Sequence, residues 1–331
     1  MSRFRRLRVG DRSAPAVTTG TPALDASMID PGVTVGSVRL RSAVMTASGT
    51  AGYGSEFAPY VDLATIGAVV TKSLAPYDWP GNPAPRLHPV HSGMMNSVGL
   101  QGPGVDAWLT SALPELLDTG ADVVCSIWGR SVEDYRRAAE MLADAPDSVV
   151  AVEVNLSCPN LEGRGGIFAH DADLSAEVLA ATEACGRPRW AKLSPNTDRI
   201  AEVARAVTQA GAEALTLVNT LLGLALDPET LRPTLGNGGG GLSGPALHPI
   251  AVRAVADVRA ALPDTPIVGV GGVATTADAI ELMAVGASAV QIGTALFADP
   301  RALARVRDGL VTEAARRGLG SVAEFTGLAA L

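Results

Sequence analysis

Eight short apolar runs, most of them rich in β-branched residues, recur along this chain at 44–48, 68–73, 122–129, 151–157, 189–194, 214–220, 266–272 and 289–295. Between most of them lie segments with helical patterning: "SVEDYRRAAEMLADA", "DLSAEVLAATEAC", "TDRIAEVARAVTQAG", "HPIAVRAVADVRAAL" and "TTADAIELMAVGA". Several of these open on a Ser, Thr or Asp suited to capping the first free N–H groups. Strands alternating with helices predict a parallel sheet covered by helices. Eight such units predict an α/β chain closed as a (β/α)8 TIM barrel, and 331 residues suit one such domain. Upstream, "VTVGSVRL" (33 to 40) alternates as a short strand leading toward 44–48, which predicts a short N-terminal β-hairpin. The expected organisation is an N-terminal extension over 1–28 and a barrel over 29–331.

Composition narrows the ligand. A hydrophobic content of 47% with 18% charged residues supplies a large core, and the net charge of -8 argues against binding nucleic acid. Cys125, Cys158 and Cys185 are odd in number and widely spaced, so neither a disulfide framework nor a metal or iron–sulfur site is expected within the chain. The four histidines, His88, His91, His170 and His248, lack metal-ligand spacing to one another. No apolar run has the length of a signal sequence or a membrane span, so a cytoplasmic protein is expected.

Nearly every strand-like run ends in glycine or polar residues: Ser48, Lys72 with Ser73, Ser126, 155–160, Lys192 to Ser194, Asn219 with Thr220, Gly271 with Gly272, and Gly293 with Thr294. A barrel gathers these ends on one face, where active sites form. The glycine-bearing ends of runs seven and eight stand where barrels bind a phosphate through backbone N–H groups. "GNGGGGLSGP" (236 to 245) contains G-x-G-x-x-G, but a long loop separates it from the sixth strand, so it is not a dinucleotide fingerprint. It is expected to be a flexible lid bringing Ser243 and Gly244 to the ligand.

Lys72 and Lys192 lie within otherwise apolar runs, where a lysine needs an anion or a polarised carbonyl as partner. Two chemistries suit them: a Schiff base, or hydrogen bonding to an electron-rich cofactor ring. Asn96, Asn155, Asn160 and Asn219 would converge on the same face, offering paired donors and acceptors to a planar ligand with amide and carboxylate edges. Cys158 follows the fourth strand in "VEVNLSCPN", at the functional end. A thiol with an ordinary pKa of ~8.5 can serve there as general base or nucleophile. Cys125, inside the third strand, and Cys185, at a helix end, are expected to be structural.

In order and spacing, "NSVGLQGPG", "VEVNLSCPN", "AKLSPN", "LVNTLLG", "GGLSGPA", "GVGGV" and "QIGTALF" resemble the class 1 dihydroorotate dehydrogenases over residues 33 to 300. The resemblance implies FMN at the barrel mouth with dihydroorotate against its ring, Cys158 as base at C5, and hydride transfer from C6 to flavin N5. It places Ser48, Lys72, Ser73, Lys192, Val218, Gly244, Gly271, Gly272, Gly293 and Thr294 on FMN. It places Asn96, Ser97, Val98, Gly99, Leu100, Asn155, Asn219 and Thr220 around the substrate, with Lys72 and Asn155 touching both ligands and Asn160 adding a hydrogen bond. Ser126 stands where the family has an asparagine that helps hold the flavin, and Trp128 where it has a small residue.

The stretch from Thr220 to Ala246 is similar to the NAD-linked class 1B branch, which implies a partner subunit carrying FAD and a [2Fe-2S] cluster and a homodimeric core. Fumarate, quinone and oxygen stay open as electron acceptors. Two rivals are an FMN oxidoreductase of uracil-like dihydropyrimidines, which would carry histidine at position 160, and an FMN-binding subunit without catalysis.

Overall fold

The computed structural model describes residues 23–157 and 168–329. Eight parallel strands run in the order expected from the eight apolar runs: β1 (Val44–Thr46), β2 (Val69–Val70), β3 (Val123–Ile127), β4 (Val149–Asn155), β5 (Arg189–Leu193), β6 (Ala214–Leu217), β7 (Ile267–Val270) and β8 (Ala289–Ile292). Consecutive strands from β2 to β8 pair in parallel, and β8 then pairs with β1, with Ile292 opposite Thr46. The seam between β1 and β2 is closed by single bonds. Gly67 N–H donates to Val44 O at 2.7 Å, and Thr46 N–H to Ala68 O at 3.3 Å. The Thr46 hydroxyl completes the seam, accepting from Val70 N–H at 2.7 Å and donating to Val70 O at 3.2 Å. A β-branched residue with a hydroxyl thus finishes a barrel whose second strand is too short to finish it alone.

The strands are mostly apolar because both faces are covered, by the barrel interior on one side and by helices on the other, and the polar side chains within them, Glu153, Lys192 and Gln291 among them, are buried too. Val132–Glu140 starts on Ser131, whose side chain accepts from Asp134 N–H, and Thr276–Ala284 starts on a reciprocal box between Thr275 and Asp278. Ala172–Ala181 is capped by Asp171, so it begins ahead of the run that marked it in the sequence. Between β1 and β2 the chain forms only turns and the 3-10 segment Leu63–Thr65.

Two features differ from the sequence-based expectation. Residues 33–40 hold both strands of the hairpin, Val33–Val35 and Val38–Leu40, because Gly36 at φ +60 turns the chain sharply. Ser37 in that turn donates twice to Glu213, next to the start of β6, so the hairpin sits under the N-terminal end of the barrel. The second difference lies above the barrel mouth. Leu221–Gly223, Gly240–Ser243, Gly93–Asn96 and Leu87–Val90 pair side by side as a four-stranded antiparallel sheet. The glycine-rich run expected as a flexible lid is therefore a paired strand. Its glycines admit close neighbours: a Cβ on Gly240 would meet Asn96 O at 2.3 Å, and one on Gly241 would meet Thr220 Oγ1 at 2.1 Å.

Of the expected extension, residues 1–22 lie outside the described residues, and Leu24 N–H bonds to Ala315 O in the long helix Ala302–Arg316. Among the described residues no helix is long and apolar enough to cross a membrane.

Candidate active site

A cavity of about 850 Å3 opens at the C-terminal ends of the barrel strands, beneath the antiparallel sheet. That volume suits a cofactor and a small substrate together. Eleven of the expected cofactor residues line it: Ser48, Lys72, Ser73, Asn155, Lys192, Val218, Gly244, Gly271, Gly272, Gly293 and Thr294. So do Asn96, Val98, Gly99, Leu100, Asn219 and Thr220 from the expected substrate set. Cys158 and Asn160 lie outside the described residues; Ser157, next to them in the chain, is on the cavity wall.

Two expected residues stand behind that wall. Ser126 is buried and shares a hydrogen bond with Ser73 Oγ at 2.9 Å, so its hydroxyl supports a wall residue without lining the cavity. Ser97 is also buried; its hydroxyl accepts from Asn82 Nδ2 at 2.9 Å and its N–H donates to Arg86 O at 2.8 Å. Ser97 thereby fixes the backbone of the 96–100 segment. Trp128 has a comparable part: it meets Trp79 edge to face at 6.1 Å, and the Trp79 indole donates to Gly99 O at 3.0 Å.

The asparagines form a connected wall. Asn155, at the end of β4, donates from Nδ2 to Ser73 Oγ at 3.1 Å, and its Oδ1 accepts from Asn219 Nδ2 at 3.2 Å and from Ser157 N–H at 3.2 Å. Its carbonyl accepts from the buried Tyr135 hydroxyl at 2.6 Å. Asn96 is tied across the antiparallel sheet to Gly241 O at 3.2 Å. Each amide is thus oriented by a neighbour from a different element, which fixes donor and acceptor positions before a ligand arrives.

The two lysines have unlike environments. Lys192 is 3% exposed, and its ammonium donates to Ser48 Oγ at 3.0 Å, Glu153 Oε1 at 3.3 Å and Gln291 Oε1 at 3.4 Å. Glu153 is fully buried; its other oxygen accepts from Gln291 Nε2 at 2.9 Å. Lys72 is half-buried with its ammonium 5.5 Å from the Tyr53 ring centre. Burial first, then the nearby Arg86 cation, pushes the Lys72 pKa below its ordinary value. An anion in the cavity would relieve both effects.

Glu153 and Gln291 escaped the sequence reading. Their signal was present, since each is a polar side chain two residues or fewer from the end of an otherwise apolar strand, and Glu153 is in phase with Asn155. The other two cysteines fit a structural part: Cys125 and Cys185 are buried, and burial raises both thiols. His248 holds the turn after β7, through Nδ1 to Gly271 O at 2.9 Å. Among the described residues no group of three or more metal-ligating side chains comes together.

The glycine ends of β7 and β8 fit an anion. Gly244, Gly271 and Gly272 have φ of +90, +142 and +70. A Cβ at Gly272 would lie 2.7 Å from His248 Cβ and 2.9 Å from Gly244 O. Among the described residues the N–H groups of Gly272, Gly293 and Thr294 donate to no backbone carbonyl. Unpaired N–H groups on a cavity wall, beside the short helix Ala295–Ala298, are what a phosphate needs.

The family model for dihydroorotate dehydrogenase matches residues 32–313. The chain belongs to the dihydroorotate dehydrogenase family. It is 44% identical to a Geotalea uraniireducens protein over 299 residues, 90% of this chain and 97% of the relative. It is 42% identical to one from Bacteroides thetaiotaomicron over 301 residues, covering 91% and 99%, and 44% identical to one from Geobacter sulfurreducens over 299 residues, covering 90% and 97%. Each relative is named dihydroorotate dehydrogenase B (NAD(+)), catalytic subunit. This dihydroorotate dehydrogenase family is flavin-dependent, and the cavity wall carries both the unpaired N–H groups of Gly272, Gly293 and Thr294 and the amides of Asn96, Asn155 and Asn219.

Proposed function

We propose that this chain oxidises dihydroorotate to orotate in pyrimidine synthesis as the FMN-bearing catalytic subunit of an NAD-linked, class 1B enzyme. The observation that carries the reading is the meeting of Lys72, Asn96, Asn155 and Asn219 on one cavity that also holds the glycine seat. The names of the relatives support the NAD linkage. Gly244, Gly271, Gly272, Gly293 and Thr294 would hold the FMN phosphate, while Ser48, Lys72, Ser73, Lys192 and Val218 would hold the ring, with Ser126 supporting Ser73 from behind. When bound, FMN supplies the two-electron acceptor for the hydride leaving C6.

The chain's own residues handle orientation and the proton. Lys72 offers a cation to the substrate carboxylate, and the amides of Asn96, Asn155, Asn160 and Asn219 pair with the ring edges. Cys158 takes the proton from C5. Ser97 to Leu100 and Thr220 shape the pocket around the ring. Reoxidation would pass to NAD through a partner subunit carrying FAD and a [2Fe-2S] cluster, on a homodimeric core in the cytoplasm.

Anaerobic mixing of the flavin-loaded protein with dihydroorotate should bleach the flavin absorbance near 450 nm, whereas dihydrouracil should not. Bleaching by dihydrouracil alone would select the uracil-type rival, and bleaching by neither would select a non-catalytic flavoprotein. Cys158→Ala should slow bleaching by about 100-fold or more near neutral pH, the usual contribution of a general base.

A further inference from the structure

The buried polar side chains under the cavity form one connected group. Glu153 on β4 sits between the ammonium of Lys192 and the amide of Gln291, with Ser126 Oγ donating to it at 3.3 Å. Gln291 reads both charges, donating Nε2 to the carboxylate and accepting the ammonium on Oε1. Glu153 is 0% exposed and Lys192 is 3% exposed, and of Glu153, Gln291, Ser126 and Lys192 only Lys192 lines the cavity. A carboxylate so placed cannot touch a ligand. It acts by setting the field that the ligand meets, because burial leaves the charges there weakly screened.

Resting on the FMN reading above, we propose that Glu153 is a positioning residue that neutralises Lys192 from beneath, so that the flavin ring faces a compensated ion pair in place of a lone cation. Reduction adds electron density to the ring. A lone ammonium below it would favour the reduced form, and the carboxylate offsets that bias. Removing the carboxylate charge while keeping its shape, as in Glu153→Gln, leaves Lys192 uncompensated and makes the flavin easier to reduce.

The test is an anaerobic dithionite titration of the FMN-loaded protein against a reference dye, a readout independent of dihydroorotate. Glu153→Gln should shift the reduction equilibrium toward reduced flavin by tenfold or more, about 30 mV for a two-electron couple. Glu153→Asp keeps the charge and should lie nearer the wild type. An unchanged or lowered potential in Glu153→Gln, or an equal shift in Glu153→Asp, would overturn the proposal.

If Glu153→Gln does not fold, thermal melting decides. Lys192→Met strands the carboxylate, so the double variant Glu153→Gln/Lys192→Met should melt higher than Lys192→Met alone; an equal or lower midpoint would refute the pairing. A wild type that holds FMN but is not bleached by dihydroorotate would sink the substrate reading and leave the potential comparison standing.

Discussion

Lys72 shows how a single residue reports its ligand. Half-buried on the cavity wall, with the Arg86 cation nearby, its ammonium is disfavoured in the ligand-free protein. Its pKa in the fold is therefore below the ordinary 10.5, so the unfolded chain binds its proton more tightly. Stability of the free protein should rise with pH between those two values. Orotate would be held by the charged form, so its affinity should fall as pH rises through the lowered pKa. Lys72→Met should weaken orotate binding by about 10- to 100-fold, the range for a hydrogen bond to a charged group, and should flatten that pH dependence. Calorimetric titration across pH measures both; equal affinity in the variant would remove Lys72 from the substrate pocket. Lys72 was legible in the sequence because a cation interrupts an apolar run, and Glu153 gave the same signal.

At the scale of elements, the loops after β7 and β8 are the parts whose backbone has a function. Gly272 combines φ +70 with neighbours that leave no room for a Cβ. Gly272→Ala should cost about 1–3 kcal/mol in backbone strain and crowding. It should also yield protein with a lower flavin-to-protein ratio, measured from absorbance after purification; full flavin occupancy would show that the turn is not needed for the phosphate seat. The antiparallel sheet over the mouth is the element the sequence concealed. Gly240–Ser243 has no β-branched residue and three flanking glycines, so it reads as loop. It is a strand because Gly93–Asn96 and Leu221–Gly223 offer it edges on both sides. Pairing between segments some 145 residues apart leaves no trace in local propensity. The lid expectation failed for that reason, although Ser243 and Gly244 do reach the cavity.

For the whole molecule, closure of the barrel depends on the seam between β1 and β2. Thr46 both accepts from and donates to Val70 there, in a site with no exposure. Thr46→Val preserves shape but strands the Val70 N–H, and should cost about 1–3 kcal/mol of unfolding free energy in urea. No loss would mean that the backbone bonds of Gly67 and Thr46 hold the seam without the hydroxyl. The alternating pattern of eight apolar runs determined the barrel and the face on which its chemistry collects, because burial on both sides of a parallel strand forces such runs. The motifs determined the family and most of the cavity wall. What only the tertiary structure decided is how those residues are held: Ser126 and Ser97 behind the wall, Trp128 propping Gly99 through Trp79, and Glu153 under Lys192. Residue type and local spacing reveal what a side chain can do, whereas its partner is chosen by contacts between strands far apart in the chain.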